Sequence, residues 1–486
     1  MRWGGGDLSL CLAGIILPVS IAVVGCGQTT STSHSPGTHD RLNFVVIVAD
    51  DVAWDDIGAF GHPTIRTPNL DVLARMGQRF TQAFLTTSSC SPARCSILTG
   101  RYPHSTGAAD LHDPLPSDQV TFVEKLKEAG YYTASAGKWH MGNAALARFD
   151  RVRREAGVSS GAEFWLQTIR ERPPDRPYFL WLASLDAHLP HEKGTIPEPY
   201  RLEDVVVPGV LPDLPEIRAD LALYYEEVSR LDDNVGAVLT ELGSPRNDAR
   251  HTVVIFLSDG GRPFPGCKAT VYDRGVKTPL IVRLPGVVKP GAVSASLVST
   301  VDIAPTILEL AGLPIPKTMQ GVSFAPVLRD QSAEVRAYVV AEQNWHDFAV
   351  RQRAIRTKTL KYIRNLYPEL PDTPPADTVR ARTYQIMERL RNAGQLTAAQ
   401  MNCFVRPRPP EELYDLIADP DETRNLADAL DRRTALQYLA AMLDRWQAET
   451  NDAPPREQRP DEYDRETGLR LPGAEPRAHA GSHVTD

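Results

Sequence analysis

Phe44-Val45-Val46-Ile47-Val48-Ala49 runs directly into the acidic pair Asp50-Asp51. An apolar run this short and continuous suits a strand covered on both faces, the kind found in sheets packed between layers of helix. Four further runs repeat it: Tyr131 to Ala136, Tyr178 to Ser184, Thr252 to Ser258 and Leu280 to Leu284. Between them, Asn69 to Arg79, Thr121 to Ala129, Arg218 to Leu242 and Asp302 to Ala311 carry apolar residues at helical spacing. Strand and helix patterns in alternation predict an α/β fold.

After about Ser332 the pattern changes to shorter strand candidates, Ala337 to Ala341 and Thr359 to Ile363, and a late helix from Asn425 to Gln447. This predicts a smaller C-terminal α+β domain over residues 333–450, after a main domain over 41–332. Residues 451–486 are rich in Pro, Arg, Asp and Glu with few apolar anchors, so disorder is expected there. At the other end, the apolar run from Leu8 to Val24, broken by Pro18, reads with Gly25 and Cys26 as an export signal over residues 1–26. The run is short for a transmembrane anchor. Val23-Val24-Gly25-Cys26 resembles the bacterial lipobox, which implies export to the cell envelope with a lipid on Cys26. Residues 27–40 are then a flexible linker.

Lys plus Arg number 53 against 61 Asp plus Glu, a net charge of −8. That balance attracts neither nucleic acid nor an anionic membrane surface, so membrane contact is expected only through the signal or lipid anchor. Any anion site has to be built locally. Cys11 and Cys26 fall in the export segment, and Cys90, Cys95, Cys267 and Cys403 are scattered without the spacing of a disulfide framework.

Ser89-Cys90-Ser91-Pro92-Ala93-Arg94 continues through Cys95 to Leu98-Thr99-Gly100-Arg101. Proline suits a first helical turn and glycine a C-terminal stop, so a short helix should begin at Cys90. Its unpaired N–H groups favour an anion at Cys90, and Arg94, four residues on, projects from the same face. Asp50, Asp51 and Asp259 each follow a buried strand candidate, and carboxylates at such strand ends can converge at one edge of a sheet. Singly, each is more often a turn or cap residue. Together they would repel unless a cation sat among them, and hard oxygen ligands suit calcium or magnesium better than zinc. In Gly137-Lys138-Trp139-His140-Met141-Gly142, Lys138 and His140 point to one side if the backbone is extended. His188 follows Ala187, with His191 as a nearby competitor. Lys268 opens a segment that also holds Lys277.

C-x-P-[SA]-R followed by L-T-G-R resembles the signature of the type I, formylglycine-dependent sulfatases of the alkaline phosphatase superfamily, and the resemblance continues from Asp50 to Leu426. It takes in Asp56-Ile57-Gly58, Thr67-Pro68-Asn69-Leu70-Asp71, Glu412 to Leu416, Asp419-Pro420 and Asn425-Leu426. The resemblance implies a large mixed central sheet flanked by helices, residues 41–332 as the catalytic sulfatase domain, and conversion of Cys90 to formylglycine by a formylglycine-generating enzyme. It also implies Ca2+, or Mg2+, held by Asp50, Asp51, Asp259 and residue 90. Arg94, Lys138 and Lys268 would offset charge on the transferring group. His188, which matches the family's histidine before Pro190 and has His191 as a competitor, would protonate the leaving atom with help from Lys268, which the resemblance selects over Lys277, and His140 would act as a base. The family usually follows its third aspartate with Asn or His, whereas this chain has Gly260, which offers no side-chain donor.

A narrower resemblance to N-sulfoglucosamine sulfohydrolase-type enzymes rests on Pro263-Phe264-Pro265 and on Lys361 to Asn365. The implied substrate is a sulfate ester or sulfamate, with sulfated glycan, sulfamate and aryl sulfate all open. Two alternatives stand beside it: a phosphomonoester or phosphonate-ester hydrolase of the same superfamily, and an inactive lipoprotein that binds sulfated ligands.

Overall fold

The computed structural model describes Met1 and residues 41–154, 159–245, 247 and 249–474; the export signal, Cys26 and the linker lie outside them. Among the described residues no helix is long and apolar enough to cross a membrane.

In chain order the first strands are β1 (Asn43–Ala49), β2 (Gln78–Phe80), β3 (Ala83–Phe84), β4 (Tyr132–Gly137), β5 (Arg151–Arg153), β6 (Tyr178–Ala183) and β7 (Thr252–Ser258). They are followed by β8 (Leu280–Arg283), β9 (Ala292–Ser294), β10 (Val298–Ser299), β11 (Val339–Gln343), β12 (Gln352–Arg356), β13 (Leu360–Asn365) and β14 (Glu411–Asp415). Eight of them form the central sheet, in the order β5-β4-β6-β1-β7-β8-β2-β9. β5, β4, β6, β1 and β7 are mutually parallel, and β8 runs antiparallel to both β7 and β2. β3 and β10 make a short parallel pair, and β11 to β14 form a separate antiparallel sheet in sequence order.

The unbroken apolar runs have the cause their pattern suggests. In β1, Val45, Ile47 and Ala49 face one core cluster while Phe44, Val46 and Val48 face another. The helices Pro68–Met76, Trp165–Arg170 and Pro215–Leu242 cover the first face; Cys90–Thr99, Phe122–Glu128 and Ile303–Leu310 cover the second. A strand enclosed on both sides has no solvent face to mark with polar residues.

Three expectations need correction. The helix predicted to Arg79 stops at Met76: Gly77 is extended and lies so tight against β8 that a Cβ there would be 2.6 Å from the Val282 carbonyl oxygen, and the chain turns there into β2. The late helix spans Arg433–Thr450 and does not start at Asn425. Asn425 instead accepts hydrogen bonds on its Oδ1 from the Leu413 and Ala427 N–H groups, both 2.9 Å, which tie it to β14. Over residues 451–474 the expected disorder gives way to a pinned segment: Asp452 receives the Arg353 guanidinium at 2.6 and 2.8 Å, and Trp345 donates to the Pro460 carbonyl at 2.9 Å. Sparse apolar content was a poor guide because charged groups hold this segment.

Arg353 is fully buried and balances two acids, Asp452 and Glu342, the latter at 3.2 Å. Removing one partner of a buried ion cluster leaves the others uncompensated. Arg353→Met should therefore lower unfolding free energy by about 3–5 kcal/mol in urea titrations. A loss under about 1 kcal/mol, the scale of an exposed pair, would show that the cluster is solvated.

Candidate active site

β4, β6, β1 and β7 are parallel neighbours, so their C-terminal ends share one edge of the sheet. Asp50 and Asp51 leave β1, Lys138 and His140 follow β4, His188 follows β6 and Asp259 follows β7. The helix Cys90–Thr99 brings its first residue to the same edge, with Ser89 extended at its N-cap and Gly100 closing it at φ +64°. Carboxylate oxygens of Asp50, Asp51 and Asp259 and the Cys90 Sγ all lie within 4.8 Å of one another, fully buried.

The cations interleave with these acids. Lys138 Nζ donates to Asp50 Oδ2, Lys268 Nζ to Asp51 Oδ2 at 2.5 Å, and Arg94 Nε to Asp259 Oδ2 at 2.6 Å. Burial would raise the Asp50 carboxyl, but Lys138, His188 and Arg94 outweigh it and hold the group well below the usual range. Burial lifts Asp51 to about 8, because repulsion from Asp50 and Asp259 offsets much of the attraction of Lys268. Burial also pushes the Cys90 thiol far above its ordinary value, so an unmodified cysteine here is an unreactive thiol.

The histidines differ in their surroundings. His140 Nε2 lies 2.6 Å from His112 Nδ1, and its own Nδ1 is buried without a hydrogen-bond partner. Burial, then His112 and Lys138, keep the His140 ring neutral. His188 has Nδ1 2.6 Å from the Leu189 carbonyl, while Nε2 faces Asp51 at 3.8 Å and Asp377 at 3.7 Å. Burial, with Lys268 and Lys138, brings it down to about 4. His191 turns instead onto the Tyr224 and Phe264 rings, and Lys277 lies over Trp54, so His188 and Lys268 are the members of their segments that reach the site.

Other motif residues hold the frame. Asp56 accepts from Tyr224 at 2.6 Å and from Arg262, outside the carboxylate cluster. Asp71 lies beside Thr67 and Gly58. Phe264 packs in the core, and Lys361 clamps β13 to Asp273 and Glu422, both at 2.8 Å. A Cβ at Gly260 would lie 2.6 Å from Asp51 Oδ1, so this position adds no ligand while Asp51 keeps its place.

Sequence reasoning missed part of the site. Cys90, Lys138, His140, His188 and Lys268 line a cavity of about 90 Å³ whose remaining wall includes His112, His346, Asp347, Asp377, Arg380 and Tyr463. His346 and Asp347 follow β11 of the second sheet, Asp377 and Arg380 stand on the short helix Ala376–Arg380, and His112 and Tyr463 lie in loops, so no motif or long periodic run marks them. Their backbone is unusual in places: Asp51, His112, His140, Ala269 and Asp347 all have φ between 58° and 69°. Non-glycine residues held there cost of order 1–3 kcal/mol each and persist where their surroundings fix them, commonly at functional sites.

The donor set fits a hard divalent cation. Three buried carboxylates converge, Asp51 Oδ1 lacks a hydrogen-bond partner, and Asp51 is raised by burial and further by repulsion from Asp50 and Asp259, which a cation would relieve. Around that point Lys138, Lys268 and Arg94 create a local positive field in an acidic protein, as a tetrahedral anion requires.

A family model described as Sulfatase matches residues 42–161 and 160–313, and one described as N-sulphoglucosamine sulphohydrolase, C-terminal, matches residues 267–371. The chain is 33% identical over 462 residues to N-sulphoglucosamine sulphohydrolase of Homo sapiens, covering 84% of this chain and 90% of that one. It is 30% identical to an ulvan-active sulfatase of Formosa agariphila, covering 84% and 75%. Among solved structures it is similar to BT4656 in complex with its substrate D-glucosamine-2-N,6-O-disulfate, with TM-score 0.67, 20% identity and coverage of 86% and 99%. It is similar also to a phosphonate monoester hydrolase of Agrobacterium radiobacter, with TM-score 0.66, 19% identity and coverage of 84% and 96%. At these identities the two structures speak to the fold alone.

The raised Asp51 carboxyl gives metal binding a defined pH dependence. In the metal-free protein it is protonated at pH 7, so cation binding should release a proton, and apparent affinity should weaken as pH falls below about 8. Because its folded value lies above the unfolded 3.8, the metal-free fold loses stability as pH rises from 4 to 8. Calorimetry with Ca2+ in buffers of different ionisation enthalpy, with melting curves at pH 5 and pH 8, should show proton release and a larger metal-induced rise in Tm at pH 8. Asp259→Asn should abolish both.

Proposed function

The chain belongs to the sulfatase family and is a sulfuric ester hydrolase; on that premise we propose that it removes sulfate from a sulfated amino sugar, with residue 90 working as formylglycine beside Ca2+. The observation that carries this reading is the position of Cys90. It opens a helix at the meeting point of three buried carboxylates and two lysines, and its thiol is held protonated by burial. A site with that much charge around an unreactive thiol makes chemical sense when the side chain is converted to an aldehyde hydrate. The similarity to the human N-sulphoglucosamine sulphohydrolase, which spans most of both chains, supports a sulfated glucosamine as substrate.

Asp50, Asp51, Asp259 and residue 90 would hold the cation, which supplies a lowered pKa at the diol oxygen and positive charge beside the sulfate. The diol supplies one hydroxyl for attack on sulfur and a second whose deprotonation lets sulfate leave with the aldehyde restored. Lys138, Lys268 and Arg94 offset charge on the transferring group and fix its orientation. His188, through Nε2, delivers a proton to the departing oxygen or nitrogen. His140, kept neutral, accepts the proton of the second hydroxyl. Export and a lipid on Cys26 complete the proposal, and a formylglycine-generating enzyme is the partner required for maturation.

Mass spectrometry of the peptide spanning residue 90, from protein made with that enzyme, should show the aldehyde in place of the thiol. Cys90→Ala should then lose sulfate-ester turnover completely, and full turnover by that variant would end the proposal. The matured protein should also prefer an aryl sulfate over the matching aryl phosphate.

A second test addresses the proton donor. His188→Asn should slow hydrolysis of a sugar sulfate or sulfamate by about 10²–10⁴-fold, the range for loss of a general acid. A nitrophenyl sulfate, whose leaving group needs no proton, should lose far less. Equal losses with both substrates would assign His188 to binding instead.

A further inference from the structure

The cavity has two kinds of wall. Its sulfate-facing side comes from residues after strand ends, the Cys90 helix and Lys268 in the loop after β7, held to Asp51 at the sheet edge. Its opposite side comes from three pieces of irregular or short structure: the loop with Leu111 and His112, the loop with His346 and Asp347, and the short helix Ala376–Arg380. Residues 459–470 touch all three. We infer that this C-terminal segment is the element that shapes the leaving-group half of the pocket and so selects a sugar as the substrate; the inference rests on the sulfatase reading above.

The contacts are specific. Arg459 pairs with Asp110 at 2.5 Å and Asp113 at 3.5 Å, on either side of Leu111 and His112. Asp461 accepts from the Ala349 N–H at 2.7 Å, and the Glu462 N–H donates to the Asp347 carbonyl at 3.0 Å, which brackets the second loop. Arg380 donates to the Gly468 carbonyl at 2.8 Å, which anchors the short helix. Gly468 is at φ +67°, and a Cβ there would lie 2.7 Å from the Ala376 carbonyl oxygen, so the segment lies tight against that helix. Tyr463 itself lines the cavity.

Arg465 is the fastener. Its guanidinium bonds Asp461 at 2.6 and 2.8 Å, and it donates to the carbonyls of Ala349 and Pro371 at 2.8 and 3.1 Å while lying over the Phe348 ring. It does not line the cavity, so it is a positioning residue that acts through the loops it ties. A planar fork with this many acceptors is poorly replaced by an amide, and partly replaced by a lysine.

The test uses the full matured chain with two probes, nitrophenyl sulfate and N-sulfated glucosamine. Arg465→Gln should raise KM for the sugar about tenfold, the scale of one lost positioning contact, with kcat for the sugar and both constants for the aryl ester within about twofold of the parent. Arg465→Lys should recover part of the loss, and Asp461→Asn, which opens the same clamp, should repeat it in case the first variant folds poorly. Proportional losses on both probes, or an unmoved KM for the sugar in an active protein, would overturn the inference. Failure of the parent to hydrolyse either probe would overturn the sulfatase reading and this inference with it.

Discussion

Three buried carboxylates with ligand atoms within 4.8 Å of one another set the terms for everything around them. At an effective dielectric constant of about 20, each ionised pair at that spacing repels by roughly 3–4 kcal/mol. A fold keeps such a cluster only by surrounding it with compensation. Here that takes three forms: a cation from each of three separate segments, a carboxyl at Asp51 that stays protonated without a metal, and a donor set shaped for a divalent ion. The same positive groups then face any anion that enters.

The cluster exists because of strand direction. β4, β6, β1 and β7 deliver their following residues to one edge only because all four run the same way. Reversing one would carry its charged residue to the far side of the sheet. This much was legible in the sequence: apolar runs that end in Asp50 and Asp259 announce buried parallel strands with acids at their exits, and Pro92 and Gly100 announce the helix that presents Cys90.

The leaving-group side was not legible, for a physical reason. Asp347, Asp377 and Tyr463 owe their positions to contacts between segments far apart in the chain, made by loops and one five-residue helix too short to show a period. The Arg465 fastener joins residues 371 and 461, and the Arg459 pair joins 110 and 459. Composition misled for the same reason. A stretch poor in apolar residues fails the usual test for order, yet residues 451–474 are held by arginine forks and backbone bonds. Asn425 misled in a smaller way, since helical apolar spacing could not reveal that its amide oxygen serves β14.

His188 shows how the two sides of the pocket meet. Its Nδ1 lies 2.6 Å from a carbonyl oxygen, which can only accept, so the neutral ring keeps its hydrogen on Nδ1 and a bare lone pair on Nε2. In the proposed role the transferable proton has to be on Nε2, which requires the charged ring. Burial and the two lysines disfavour that charge in the empty site and bring the group to about 4. In the proposed mechanism an anionic sulfate held between Lys138 and Lys268 would reverse the balance, because it would screen the lysines and attract the imidazolium. On that proposal the acid would form when substrate is present to use it, and Asp377, 3.7 Å from Nε2, favours the same charged state. A carboxylate invisible to motif reading thus adjusts a histidine that the motif supplied.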